Sequence, residues 1–526
     1  MPTFAISFMS WQREVDGIEQ RKKLALAQGG PDAVTRQHAQ GRLTVRERIA
    51  GLVDAESFRE QGPIAGHAES DEHGELRAFT PANYVLGFAR IDNRPCVIGG
   101  EDFTLRGGSP SPAGLRKSVL AEELAYRYRV PLIRFLEGGG GSVPRGEKKP
   151  SGDGGEAANA PPRFMSVMQV MGVVPVVSAA LGPVAGLPAA RLVASHFSIM
   201  TRNTAQVMVG GPALVERAFG RAITKEELGG PQVHLHSGVV DNVADDEPGV
   251  FAQMRRFLSY LPTNVWEAAP VSACGDDRHR QEPELLSIIP RNRRRAYVMR
   301  RLMACVVDRD SFFELAPLYG PSQITGLARL NGQPVGIWAN DPAWYAGAMT
   351  ADGAQKVKRL VDLCDTFHLP IVCLVDEPGF MIGPEAEQTA TIRHGTATLF
   401  AVMQSTVPWV SVIVRKVYGV AGAAHFGPGG MVFAWPSAES GALPIEGGVA
   451  VAYRREIEAA PDPEAKRREI EDRLADQRSP YARAEAFAVN DLIDPRHTRP
   501  VLCDWVDWIQ PQLQAHRGPR AYTMRP

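Results

Sequence analysis

At 526 residues the chain is too long to pack around one hydrophobic core, and two domains of roughly 250 residues each is the natural division. A formal net charge of −1 removes any general electrostatic reason to bind nucleic acid or an anionic membrane, so phosphate recognition must be local. The cysteines, at 96, 274, 305, 364, 373 and 503, contain no Cys-x-x-Cys pair. That argues against a zinc ribbon or a thioredoxin-like site and points to reduced thiols in a cytoplasmic protein.

The first residues, Met1 to Trp11, have no basic flank before their short apolar patch and turn polar at Gln12, a poor signal peptide. Residues 11 to 58 read as amphipathic helix, with Arg13, Glu14, Glu19, Arg21, Lys22 and Lys23 on polar faces. Strand and helix signals then alternate: Val85 to Ile91, Pro95 to Gly99, a helix from about Ala113 to Tyr128, and a buried strand Pro131 to Leu136. This is α/β order. Residues 138 to 162, rich in Gly, Pro, Lys and Ser, read as a mobile loop. Gly141 to Gly146 has P-loop spacing, but Glu147 stands where lysine is required.

No residue from Val170 to Ala190 is charged, a run long enough to span a bilayer. Pro175, Pro183 and Pro188, with Gly172, Gly182 and Gly186, break it instead into a strand, a turn and a helix start. His234 and His236 alternate with Val233, Leu235 and Ser237, as if on one face of a strand; with no third ligand at recognisable spacing they read as structural. Thr263 to Arg295 carries proline and charge and ends in Arg291-Asn292-Arg293-Arg294-Arg295. It reads as a solvated linker between a domain of residues 1–262 and one of residues 296–526.

Downstream, Val410 to Val414 is a buried strand that passes through Arg415 and Lys416 into small residues at Tyr418 to Ala424, a turn that opens a helix. Backbone N–H groups at such a turn converge on one point and can hold a developing negative charge. Tyr453 to Gln477 is a heavily charged run, read as an exposed helical hairpin. There is no Gly-x-Ser-x-Gly elbow to support a hydrolase triad.

The chain repeats itself. Leu86-Gly87-Phe88-Ala89-Arg90 matches Thr325-Gly326-Leu327-Ala328-Arg329, and 326 minus 87 gives an offset of 239. Pro131 and Pro370 keep that offset, whereas Pro175 against Pro408 gives 233 and Gly186 against Gly422 gives 236. Two copies of one domain, each ending in a small-residue turn, account for matches in this order.

These residues carry a resemblance. The chain resembles the carboxyltransferase (β) subunits of biotin-dependent acyl-CoA carboxylases, the propionyl-CoA and methylcrotonoyl-CoA carboxylase group. The likeness lies in Phe103-Thr104-Leu105-Arg106-Gly107-Gly108-Ser109, Glu226-Glu227-Leu228-Gly229-Gly230 and Leu258-Ser259-Tyr260-Leu261-Pro262 of the first half. In the second half it lies in Asp376-Glu377-Pro378-Gly379-Phe380, Ile392-Arg393-His394-Gly395 and Arg415-Lys416-Val417-Tyr418-Gly419. It implies two tandem crotonase-like (ClpP/crotonase) α/β domains related by internal duplication.

The resemblance also implies that the two turns are oxyanion holes. Gly186 and Leu187 would hold the acyl-CoA thioester oxygen, with Gly182, Ala185, Gly138 and Gly139 shaping that turn. Val420 and Ala421 would hold the biotin ureido oxygen, with Tyr418, Gly419, Gly422 and Ala423 lining the biotin and acyl pocket. The reaction implied moves a carboxyl group from carboxybiotin to the α (or vinylogous) carbon of an acyl-CoA through an enolate. Neither a side-chain acid or base nor a metal in this chain is needed.

Biotin would ride on a separate biotin carboxylase/biotin carboxyl carrier (α) subunit, since the chain has no Met-Lys-Met biotinylation site, and the β subunits would form a hexamer. A decarboxylase or transcarboxylase of the same fold, or a non-catalytic scaffold subunit, stays open here. Two departures bear on substrate. Glu137-Gly138-Gly139-Gly140-Gly141-Ser142 stands where the family usually has Ser-Gly-Gly-Ala-Arg. Gly422 and Ala423 stand where short-acyl members carry Tyr-Asp, which is expected to open room beside the acyl end.

Overall fold

A computed structural model of the chain describes residues 10–140, 164–476 and 479–525. It divides between Leu258 and Ser259 into two compact units. Each is built on one eight-stranded sheet. In the first unit the spatial order is Arg59–Glu60, Tyr84–Ile91, Arg94–Glu101, Leu132–Gly138, Val176–Ala185, Phe197–Thr201, Asn242–Ala244, and Gln206–Met208 pairs beside the end of Val176–Ala185. In the second it is Phe313–Leu315, Gln323–Leu330, Gln333–Asn340, Ile371–Glu377, Trp409–Tyr418, Met431–Ala434, Asp491–Leu492, and Glu439–Gly441 pairs beside the end of Trp409–Tyr418.

The sequence dictates this locally. Asp92 and Asn93 turn the first hairpin with φ of 50° and 65°, and Asn331 and Gly332 turn the second with 50° and 80°. Beyond each hairpin the strands run parallel, so both faces are covered and Leu132–Gly138 and Ile371–Glu377 are buried at every residue. The crossover helices Pro112–Tyr128 and Ala351–Phe367 are capped alike: the Ser111 and Thr350 hydroxyls accept from Gly114 N and Gly353 N, each at 3.0 Å. They end alike too, on the left-handed residues Arg129 and His368.

Tyr84 to Gln323, Pro112 to Ala351 and Leu132 to Ile371 are each 239 residues apart, whereas Val176 to Trp409 and Ala185 to Tyr418 are 233 apart. The difference of six falls in one crossover: 37 residues (139–175) separate the strands in the first unit and 31 (378–408) in the second.

Several expectations change. The helix expected over residues 11–58 is three, Gln12–Leu26, Pro31–Ala39 and Val45–Leu52, broken at Gly30 (φ 88°) and restarted by a capping box between Thr44 and Glu47. His234 and His236 lie in a helix, Pro231–Ser237, not a strand. Gly230-Pro231 opens it, Gly238 (φ 74°) closes it, and only His234 is buried, its Nε2 2.7 Å from Val207 O.

Residues 263–295 do not hang free but pack on the second unit. There Arg293 pairs with Glu439, Arg294 with Glu471, and Arg415 donates to Arg295 O. The charged run after Tyr453 is two helices, Arg454–Glu458 and Pro463–Asp476. Of the loop read at residues 138–162, residues 141–162 lie outside the described residues, as does the P-loop-like spacing at 141–146, whereas Gly138 ends the strand Leu132–Gly138. Among the described residues no helix is long and apolar enough to cross a membrane.

Candidate active site

Each sheet ends its fifth strand on a glycine that turns the chain into a helix. Val176–Ala185 runs into Gly186 (φ 66°) and the helix Leu187–Val193; Trp409–Tyr418 runs into Gly419 (φ 61°) and the helix Gly419–Ala423. Glycine holds such a φ at the least cost. The backbone therefore sets Gly186 opposite Gly419 (419 minus 186 is 233), not opposite Gly422 as residue matching suggested. The same offset sets Leu187 opposite Val420 and Pro188 opposite Ala421. Proline carries no N–H, so the two turns present different sets of amides.

Around the first turn the glycines are there because backbone or carboxylate fills the space a side chain would need. A Cβ on Gly182 would lie 2.3 Å from Glu137 Oε1, one on Gly138 would lie 2.7 Å from Gly108 O, and one on Gly186 would lie 3.2 Å from Gly140 Cα. Gly139 is exposed and has only Ser109 Oγ nearby, at 3.9 Å. Gly140 thus lies against Ala185 and Gly186, beside Leu187, while Gly138 packs on Gly108 and Gly182 on Glu137.

Behind it Glu137 is wholly buried, paired with Arg42 and Arg48 and accepting from Gln37 Nε2 at 2.8 Å, while Arg48 also donates to Glu247 at 2.8 Å. This cluster fixes the strand end. The backbone N of Glu137 donates to the Glu101 carboxyl at 3.3 Å, and burial pushes that carboxyl up to about 7 against the pull of Arg191.

The second turn repeats the plan with other residues. Asp376, 239 after Glu137, is wholly buried against Arg415 and accepts from Tyr297 Oη at 3.0 Å and Lys416 N at 3.1 Å; its own N donates to Asn340 Oδ1 at 2.8 Å. Beside it burial raises Glu377 well above the usual carboxyl range. Tyr418 is buried, its hydroxyl 3.1 Å from Glu439 Oε2. Gly419 and Val420 are exposed, Val420 by 52%, whereas Ala421 is fully buried.

His425 holds the turn from within: its ring stacks on Trp338 at 3.8 Å and Nδ1 lies 3.1 Å from Ala421 O. Burial drives this imidazole down to about 3, so it is neutral and donates through Nδ1–H to that carbonyl. The room expected at Gly422 is not there. A Cβ at 422 would lie 3.0 Å from Val417 Cγ2 and 3.1 Å from Val417 C, so the position faces its own strand; Ala423 is exposed. Among the described residues no group of three or more His, Cys, Asp or Glu side chains could hold a metal.

The profile of the carboxyl transferase domain matches residues 36–512. The methylmalonyl-CoA decarboxylase subunit alpha of Veillonella parvula is 33% identical over 515 residues, 97% of this chain and 98% of that protein. The propionyl-CoA carboxylase carboxyltransferase subunit of Haloferax mediterranei is 33% identical over 497 residues, 93% of this chain and 95% of that protein. The crystal structure of transcarboxylase 12S, a hexamer with methylmalonyl-coenzyme A and methylmalonic acid bound, superposes with a TM-score of 0.84 at 31% identity, covering 98% of this chain and 97% of that one.

Proposed function

The chain belongs to the carboxyl transferase domain family, with its two crotonase-like sheets, and from that we propose that its paired turns hold the oxygens of two reactants. Gly186 and Leu187 take the thioester oxygen of an acyl-CoA, and Val420 and Ala421 take the ureido oxygen of biotin. The observation that carries this is the recurrence of a left-handed glycine at the end of equivalent strands, Gly186 and Gly419, each opening a helix.

At the first turn two fixed amides stabilise the oxygen on which charge develops as the α-proton leaves, which lowers the barrier to the thioester enolate without proton transfer from the protein. Glu137 with Arg42 and Arg48 keeps the strand end from shifting as that charge grows. At the second turn the exposure of Gly419 and Val420 suits an oxygen arriving from outside the unit, and Tyr418 and His425 keep the helix start fixed behind it. Biotin, carried on a biotin carboxylase/carrier subunit, supplies or receives the carboxyl group.

Carboxylase, decarboxylase and transcarboxylase chemistry share this enolate, so direction depends on what the partner delivers. We read this chain as the carboxylase β subunit, acting as a hexamer in the cytoplasm; the hexameric 12S neighbour and the unpaired cysteines support this. The test is copurification of a biotinylated protein with the tagged chain, followed by ATP-dependent fixation of labelled bicarbonate into acyl-CoA. Release of CO₂ from a carboxylated thioester without ATP would reverse the direction, and neither activity would reject the reading.

A further inference from the structure

Within the arginine-rich end of residues 263–295 one side chain differs from the rest. Arg291, Arg294 and Arg295 are exposed, whereas Arg293 is half-buried. Its Nε donates to Glu439 Oε1 at 3.0 Å, and its Nη2 reaches the Glu446 carboxylate at 3.2 Å. The other oxygen of Glu439, Oε2, accepts from the Tyr418 hydroxyl at 3.1 Å. Arg293, Glu439 and Tyr418 therefore form one chain of contacts that ends on the residue before Gly419.

The strand Glu439–Gly441 needs such an anchor, because it pairs with residues 416–418 over three positions only. Beyond it the chain lies against the turn: a Cβ on Gly419 would be 3.5 Å from Ala442 O, and one on Gly441 would be 3.5 Å from Tyr418 Cε1. On the other flank of the strand Trp409–Tyr418, the Tyr297 hydroxyl donates to Asp376 at 3.0 Å. Between the two, Arg295 O accepts from Arg415 Nη1 at 2.9 Å, and the Arg415 guanidinium lies 4.9 Å from the centre of the Tyr297 ring. Residues 293–297 thus cross the strand that carries the second turn and grip its neighbours on both sides.

We propose that Arg293 is a positioning residue for carboxyl transfer: through Glu439 and Tyr418 it fixes the second turn, and with it the amides of Val420 and Ala421, as charge develops on the oxygen they hold. The inference rests on the reading of that turn as the biotin site. Donors aimed at a developing charge are effective because they do not have to reorganise, so a turn free to shift loses rate while keeping its amides. The first turn has its own support in Arg42, Arg48 and Glu137.

The test takes the full chain with Arg293→Gln, Arg293→Lys or Tyr418→Phe. Arg294→Gln is the control, since Arg294 pairs with Glu471 on the helix Pro463–Asp476 and not with the strands of the turn. Two quantities are read: hydrogen exchange of residues 416–424 by mass spectrometry, and carboxyl transfer by the reconstituted complex per acyl-CoA site counted by titration calorimetry. The site count separates a slower turn from a smaller folded fraction. Arg293→Gln is expected to speed exchange there and to lower kcat by roughly tenfold to a hundredfold, with KM for acyl-CoA within about twofold of wild type. Arg293→Lys keeps the charge and should regain part of both. Tyr418→Phe removes one hydroxyl and should give a loss of the same kind, and the two losses should not multiply in the double variant. Wild-type exchange and kcat in a folded Arg293→Gln protein, equal losses in Arg294→Gln, or losses that multiply overturn the proposal. Where Arg293→Gln fails to fold, wild-type exchange and kcat in Tyr418→Phe overturn it. Faster exchange in Arg293→Gln beside a wild type that transfers no carboxyl group leaves the anchor standing and rejects the reading of the turn as the biotin site.

Discussion

Replacing Ala421 with proline takes one amide out of the second turn and little else. Position 421 is equivalent to Pro188 (421 minus 188 is 233), so the first unit already carries proline at this place in its fold. Ala421 lies in the first turn of the helix Gly419–Ala423, where N–H groups have no partner within the helix, so the helix loses no hydrogen bond. The ring does add two carbons at a fully buried site, an overpacking cost of about 1–3 kcal/mol. Ala421→Val adds two carbons as well and keeps the N–H, which makes it the control.

If the Ala421 amide holds the oxygen, its loss costs about 3–4 kcal/mol of barrier, a drop in kcat of roughly a hundredfold to a thousandfold. The valine variant should stay within about tenfold of wild type. The assay is the initial rate of carboxyl transfer at saturating acyl-CoA, with circular dichroism for folding and titration for acyl-CoA binding. Binding should be unchanged, because the first turn, where we propose that the thioester sits, is untouched. A folded Ala421→Pro protein with wild-type kcat, or equal losses in the proline and valine variants, refutes the reasoning.

Gly186→Ala should lower both melting temperature and transfer rate, since alanine at φ 66° costs about 1–3 kcal/mol and its Cβ meets Gly140; unchanged values in both would reject the strain. Glu137→Gln leaves Arg42 and Arg48 short of a countercharge and should cost about 3–5 kcal/mol, read from the denaturant midpoint. His425 has a folded value of about 3 against an unfolded 6.5, so the unfolded chain binds the extra proton and stability, full above pH 6.5, falls as pH drops toward 3 by about 1.4 kcal/mol per unit. His425→Phe keeps the ring stack but not the titration, so its stability gap to wild type should narrow by about 2 kcal/mol between pH 6.5 and about 5; parallel curves would contradict this. One thiol, that of Cys274, should react first in the native protein, the other five being buried, as counted with a thiol reagent before and after denaturation.

The duplication, the buried strands and the two turns were legible in the sequence because they rest on local pattern: apolar runs, glycine after a strand, and motifs in the same order twice. The residues that support the turns were not. Glu137 meets Arg42 and Arg48 across 95 and 89 positions, and no local spacing announces such a pairing. His425 sat inside the central stretch without a role, because only the fold stacks it on Trp338. Gly186 was matched to Gly422 because alignment pairs residue types, while the backbone pairs left-handed conformations and chooses Gly419. The strand reading of His234 and His236 could have been avoided. Gly230-Pro231 before the stretch and Gly238 after it are helix punctuation, and they outweigh a five-residue alternation.

From the second strand to the fifth the halves differ by six residues, all of them between the fourth and fifth strands, and the spacing from the start of the fifth strand to its glycine is the same in both. Chain length has therefore been free to drift in that crossover while the strand leading to each glycine kept its length. For anyone rebuilding this enzyme, that separates two handles. The crossover is where a peptide can be spliced in or trimmed out, and the ten-residue strand behind each glycine is the ruler that should not be touched.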